Sequence, residues 1–203
     1  MKTLTKDLVM LAKLASYITL DKFSQINSVI TNLKKENVNP EKIYETILQS
    51  YLFCGFPAAI ESLTIFRKNF PNFQKRKTVF NHVKFRKSGI TNCKLVYKNN
   101  FKKLIENMNY YSRDLRDWMI IEGYGKVLGR TGLNLLEREY INVSMLVTRF
   151  YKNQLHSHLR GCLYMGASKN ELNSLFNQLE KVAGIKNITQ GKKLLQSISI
   201  FDN

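Results

Sequence analysis

The chain carries one helical plan twice, and that duplication limits its folds more than any other feature. Residues 4–20 place Leu4, Leu8, Leu11, Leu14, Ala15 and Ile18 at steps of three and four, which is one face of an amphipathic helix. Residues 23–36 read as a second helix. Asn39-Pro40-Glu41 opens a third: Asn39 is a natural N-cap, and Pro40 falls at the first helical position, where its missing N–H has no partner to lose. That helix is expected to run to a break at Gly55-Phe56-Pro57, with a short helix through AAIESLTIF after it. The C-terminal part replays this order. Leu136-Glu137-Arg138-Glu139 stands where Leu4-Thr5-Lys6-Asp7 stood, residues 155–164 form the second helix, and Ser168 with Glu171 makes a capping box that opens the third. One hairpin plus one helix is too small to bury its own apolar stripe, so the two copies must pack on each other. The fold class expected is therefore all-α. Two related helical units, 1–66 and 112–203, share one compact domain and are joined by a basic connector, 67–111.

That connector holds most of the charge. Residues 67–113 contain thirteen Lys/Arg against one acid, Glu106, which accounts for +12 of the net +17. Phe70, Phe73, Phe80, Phe85, Tyr97 and Phe101 are interleaved with these cations. Such a segment attracts phosphates and anionic substrates and offers stacking platforms. No sequence-reading nucleic-acid motif accompanies it, so only weak, nonspecific nucleic-acid binding is expected. Residues 68–80 show no helical period. NFKKLIENM has one, and residues 113–122 form a stronger helix; Gly123, Gly125, Gly129 and Gly132 then read as a loop that ends where Asn134 caps the next helix. Cys54, Cys93 and Cys162 are widely spaced and include no CxxC pair, which argues against both a disulfide framework and a zinc knuckle. No apolar run is long enough for a membrane span, and residues 1–7 do not begin a secretory signal. The chain reads as cytoplasmic, with no membrane partner.

Two stretches carry a family likeness. Glu122-Gly123-Tyr124-Gly125-Lys126-Val127-Leu128-Gly129-Arg130 leads into Gly132-Leu133 and Arg138-Glu139, and after a helix comes His156-Ser157-His158-Leu159-Arg160-Gly161-Cys162-Leu163. Together they resemble the carboxymuconolactone decarboxylase family, where a GYGxVLxRxGL segment precedes an Arg-Glu helix and a helix bearing HLRGAL. Gly55-Phe56-Pro57-Ala58-Ala59 resembles that family's GFPAA turn, and residues 95–118 resemble the spacer of its longer members. The resemblance implies an alkylhydroperoxidase D-like helical bundle, a symmetric homo-oligomer, and a cofactor-free lyase acting on a small anionic substrate such as a carboxylated lactone. No cofactor and no metal are implied. The departures are specific: the peroxidase branch's CxxC is absent, Cys162 replaces the alanine after HLRG, and Gly184 is not followed by a second GFPAA.

Cofactor-free decarboxylation requires a cation for the carboxylate and developing enolate, and an acid that returns a proton to carbon. His156 and His158 lie two apart on a helix and so face different ways. By resemblance His158 is the acid; Arg130, just after the glycine-rich segment where a ligand can approach the backbone, is the candidate anion clamp, and Glu139, in the helix before the histidine helix, the group that would set the histidine's tautomer. Tyr124, Arg138 and His156 are the candidate substrate contacts. The competing function is a non-catalytic relative whose basic connector binds nucleic acid or an acidic partner. Cys54 precedes a helix break, where the dipole's negative end opposes a thiolate, so packing is its expected role.

Overall fold

A computed structural model describes residues 4–75 and 78–199, and among them every regular element is a helix. The chain runs α1 (Lys6–Thr19), α2 (Phe23–Lys35), α3 (Pro40–Asn69), α4 (His82–Tyr97), α5 (Phe101–Tyr111) and α6 (Arg113–Trp118). A π-helical segment (Met119–Val127) follows, then α7 (Leu135–Arg149), α8 (Lys152–Tyr164), α9 (Lys169–Ala183) and α10 (Ile185–Gln196). No helix of the described residues is long and apolar enough to cross a membrane.

The helix starts follow the capping signals. Asn39 accepts from Glu41 N–H at 2.9 Å, with Pro40 at the first helical position, and Ser168 and Glu171 close their box at 3.1 and 2.8 Å. Asn134 and Glu137 form a second box in front of α7. Within α3 the break falls at Gly55, whose φ of 80° is in the left-handed region that disfavours a side chain. The helix then resumes through Pro57, the first turn having no need of its N–H. Gly184, with φ of 83°, turns the chain from α9 into α10 in the same way.

The main core forms where α1 and α7 pack on each other, with α2, α3 and α9 against α1 and with α8, α9 and α10 against α7. Leu11, Leu14, Ile18, Ile141, Leu146 and Phe176 are among its fully enclosed side chains. A second, smaller core of Cys93, Val96, Ile120, Tyr124 and Leu128 joins α4 to the π-helical segment.

Here the structure departs from the sequence reading twice. Residues 82–97 form a helix that the reading did not assign, because its buried stripe of Phe85, Gly89, Cys93 and Val96 is periodic but has a glycine and a cysteine at its centre. And Gly123 and Gly125 lie in a widened helix rather than a loop: Leu128 N–H donates to the Gly123 carbonyl five residues back at 2.9 Å. The glycines serve packing. A Cβ on Gly125 would stand 2.1 Å from the Phe85 carbonyl oxygen, and one on Gly89 2.0 Å from that of Ile120, so α4 and the π-helical segment cross backbone to backbone.

Candidate active site

Helix α7 directs three neighbouring polar side chains into the interior: Arg138, Glu139 and Asn142, all fully buried. Glu139 meets His158 of α8, Oε2 to Nδ1 at 2.7 Å, and His158 itself is only 7% exposed. A carboxylate has no proton to give, so Nδ1 carries the hydrogen and Nε2 remains the nitrogen that can exchange a proton with a ligand. The other carboxylate oxygen, Oε1, accepts from Asn142 Nδ2 at 2.9 Å. With both oxygens engaged, the imidazole is held in one tautomer and one orientation. The Phe53 and His158 rings meet in a T-shaped arrangement.

From Asn142 the bonding continues across α3. Gln49 Nε2 donates to Asn142 Oδ1 at 2.6 Å and to the Arg138 carbonyl at 2.9 Å, while Gln49 Oε1 accepts from Arg138 Nη1 at 3.1 Å. Arg138 Nη2 donates to Glu45 Oε2 at 2.9 Å. Glu45 also receives Arg130 Nε at 3.0 Å and Lys75 Nζ at 2.5 Å, and Lys75 reaches Glu41 at 2.7 Å. Burial alone would raise the Glu45 carboxyl, yet hydrogen bonds from Arg130, Lys75 and Arg138 hold it below its ordinary value. Three cations face two carboxylates, so this end of the network is net positive.

The expected site residues thus separate into groups. His158 and Glu139 are brought together. Arg130 and Arg138 share Glu45, and Arg138, fully enclosed, presents no face to a substrate. Arg130 lines a cavity of about 280 Å³ beside Leu48 and Tyr51 of α3 and Lys126 and Val127 of the π-helical segment. Leu48 and Tyr51 of this cavity lie on another face of α3 from Gln49 and Phe53, whereas Glu45, to which Arg130 is bonded, shares the Gln49 face one turn back. Tyr124 is buried and donates to the Tyr97 hydroxyl at 3.4 Å. His156 is half-buried, its basicity lowered by burial and by Arg160 one turn on.

Glu45, Gln49 and Asn142 were not singled out in the sequence. The signal was there: Glu45 and Gln49 are one turn apart on α3, as Arg138 and Asn142 are on α7, and each pair lies on a face otherwise destined for the interior. Burial disfavours the thiolate at all three cysteines. Burial, and then the charge of Glu139, pushes Cys93 up to about 12 and Cys162 well above its ordinary value. Burial likewise raises Cys54, whose sulfur lies 3.6 Å from Thr19 Oγ1. Among the described residues no group of three or more His, Cys, Asp or Glu is placed to hold a metal ion.

Over 81 residues the chain is 28% identical to the 4-carboxymuconolactone decarboxylase of Acinetobacter baylyi, which takes in 40% of this chain and 60% of the decarboxylase. Over 163 residues it is 28% identical to Peroxisomal protein 2 of Schizosaccharomyces pombe, 74% of this chain and 76% of that one. No family model matches. The likeness to a carboxymuconolactone decarboxylase is real, distant and partial.

Proposed function

We propose that the chain is a carboxymuconolactone decarboxylase-like protein, built from two copies of one helical unit, in which His158 performs acid–base chemistry on a small carboxylated lactone or similar acid. The observation that carries this reading is the 2.7 Å pairing of His158 with a fully buried Glu139 whose second oxygen is also bonded. An imidazole fixed in this way is prepared for proton transfer at Nε2. In decarboxylation the bond from carbon to the carboxylate breaks, CO2 departs, and the electron pair enters the unsaturated lactone as an enolate. His158, having first taken a proton from solvent at Nε2, then gives that proton to carbon and is left as the neutral Nδ1–H imidazole. Arg130, expected as the anion clamp, is bonded to Glu45 at 3.0 Å and lines the cavity beside Tyr51 and Lys126. The two-copy reading is supported by α1 and α7 leading equivalent helix successions and by the matching corners at Gly55 and Gly184. A symmetric homo-oligomer belongs to the same reading.

The test is CO2 release from 4-carboxymuconolactone by the purified protein. His158→Gln keeps a hydrogen-bonding side chain but removes the titrating group, and should slow turnover by about two to four orders of magnitude. His156→Gln, on another face of α8, should change it little. Equal losses at both positions, or no turnover by the wild type, would reject the assignment.

A second reading has its own observation. Lys84, Lys87 and Lys94 follow one another at helical spacing along an exposed face of α4, with Thr91 between them and Lys98 just past the helix end. A stripe of this kind follows a phosphate backbone, so a non-catalytic polyanion-binding role competes with the enzyme.

A further inference from the structure

The second half of α3 bears a groove that the acid–base site does not use. Its enclosed end is the 280 Å³ cavity walled by Leu48, Ala59, Ile60, Leu63 and Val127, with Tyr51, Lys126 and Arg130 as its polar members. Ile60 and Leu63 also border a more open depression of about 540 Å³ that continues along the same helix to Arg67 and Lys68. The two form one apolar trough. Along it Phe56 is 66% exposed and Ile60 57%, large for side chains that no neighbouring element covers.

The polar groups at the enclosed end are fixed in advance. Arg130 is held by Glu45 and Thr78, and Lys126 by Glu122 at 3.0 Å. Tyr51 donates to the same Glu122 and stacks on Phe56, with ring centroids 5.1 Å apart. Apolar walls with a few oriented polar groups are the usual form of a small-molecule site. Its sign is set by the cations: Lys126, Arg130, Arg138 and Lys75 outnumber Glu122, Glu45 and Glu41, leaving this end net positive.

We propose that this trough binds an amphiphilic monocarboxylate, an apolar chain or ring system ending in a carboxylate, with the carboxylate at Arg130 and Lys126 and the apolar part along Ile60 and Leu63. Charge complementarity selects this occupant over a second copy of the chain. Cations stand at both ends of the trough, Lys126 and Arg130 at one and Arg67 and Lys68 at the other, so a second copy seated on this face would meet like charge in either orientation. None of the residues lining the enclosed end bonds to His158 or Glu139, so carboxylate binding here is read without reference to the decarboxylase reading.

Calorimetric titration of the full chain with decanoate, decan-1-ol and decylammonium, each below its aggregation limit, tests the proposal. Decanoate should bind about tenfold or more tightly than the alcohol, the scale of one charge-assisted contact, and the ammonium should bind weakest. Ile60→Asp places a charge on an exposed wall without touching the core and should abolish binding. Lys126→Gln and Arg130→Gln should each weaken decanoate several-fold and leave the alcohol unchanged. Thermal melts of each variant establish that it is folded. Equal affinity for acid and alcohol, indifference to Ile60→Asp, or no binding of decanoate would each overturn the proposal. So would a fall in oligomeric mass on Ile60→Asp with no carboxylate bound, since a second copy would then be the occupant.

Discussion

Replacing Glu45 by Leu should destabilise the fold more than any comparable change of a surface carboxylate. Glu45 and Arg138 are both wholly enclosed, and Arg138 remains cationic because burial, which lowers its affinity for a proton, is opposed by Glu45. Removing the carboxylate leaves a buried guanidinium facing Arg130 and Lys75 without its counter-ion. Breaking a buried pair from one side costs about 3–5 kcal/mol. For a chain of this size about 2–4 °C of melting temperature accompanies each kcal/mol, so the expected fall is roughly 6–20 °C by thermal circular dichroism. Glu45→Leu combined with Arg138→Met removes the stranded charge and should recover much of the loss. The pH dependence has a definite sign. The folded Glu45 has a depressed pKa, so its contribution is fully present above the ordinary carboxyl value of 4.5 and is lost as pH falls through the lower folded value. Glu45→Leu should therefore flatten the acid limb of a stability–pH curve. A melting shift of less than about 2 °C, or a double variant no more stable than the single one, would refute this account of the network.

Gly125→Ala should lower stability by about 1–3 kcal/mol, because its Cβ would meet the Phe85 carbonyl oxygen, while Gly123→Ala, with open space around it, should be tolerated; equal melting temperatures for the two variants would remove the close-crossing argument. Nucleic-acid binding should be weak, sequence-indifferent and steeply salt-dependent, and should fall when Lys84, Lys87 and Lys94 become Gln; a tight, sequence-selective complex at physiological salt would favour the polyanion reading. Sedimentation should show a homo-oligomer of the 23.7 kDa chain, with exposed Trp118 and Leu115 of the α6 edge at its interface, and Trp118→Glu should dissociate it; a wild-type monomer at micromolar concentration would refute this.

Legibility in the sequence followed the kind of physics involved. Caps and apolar periods are local, and Asn39, Ser168 and the Gly55 break could be read directly because each depends on residues within a turn of itself. Helix α4 escaped because the centre of its buried face is Gly89 and Cys93, which weakens the apolar signal while leaving the helix intact. The π-helical glycines were read as turn residues because a single chain does not reveal which backbone will cross it; that Phe85 and Ile120 do so is a tertiary fact. Arg130 shows the same limit in the candidate site. Its place after a glycine-rich segment favoured a ligand clamp, but its partner is Glu45, 85 residues earlier, and no local spacing connects them. Lys75, expected to be part of an open basic patch, is tied to Glu41 and Glu45, whereas Arg76 and Lys77 lie outside the described residues.

The adjacency of Arg138 and Glu139 gives the network its form. Successive residues on a helix point about 100° apart, so α7 sends one charge towards α3 and the next towards α8 from a single turn. Gln49 and Asn142 bridge the two directions with neutral amides, each donating and accepting, so that no buried oxygen of either carboxylate lacks a partner. An amide relay differs from an ion pair in one respect that matters for chemistry: it fixes orientation without neutralising Glu139, whose charge therefore remains available to His158. The cationic cluster around Glu45 anchors the opposite end of this chain to α3 and to the loop before α7. The geometry at His158 is thus set by how α3, α7 and α8 pack, and Glu139 is held against it by a buried polar network in which, among the described residues, only Arg138 Nε lacks a partner.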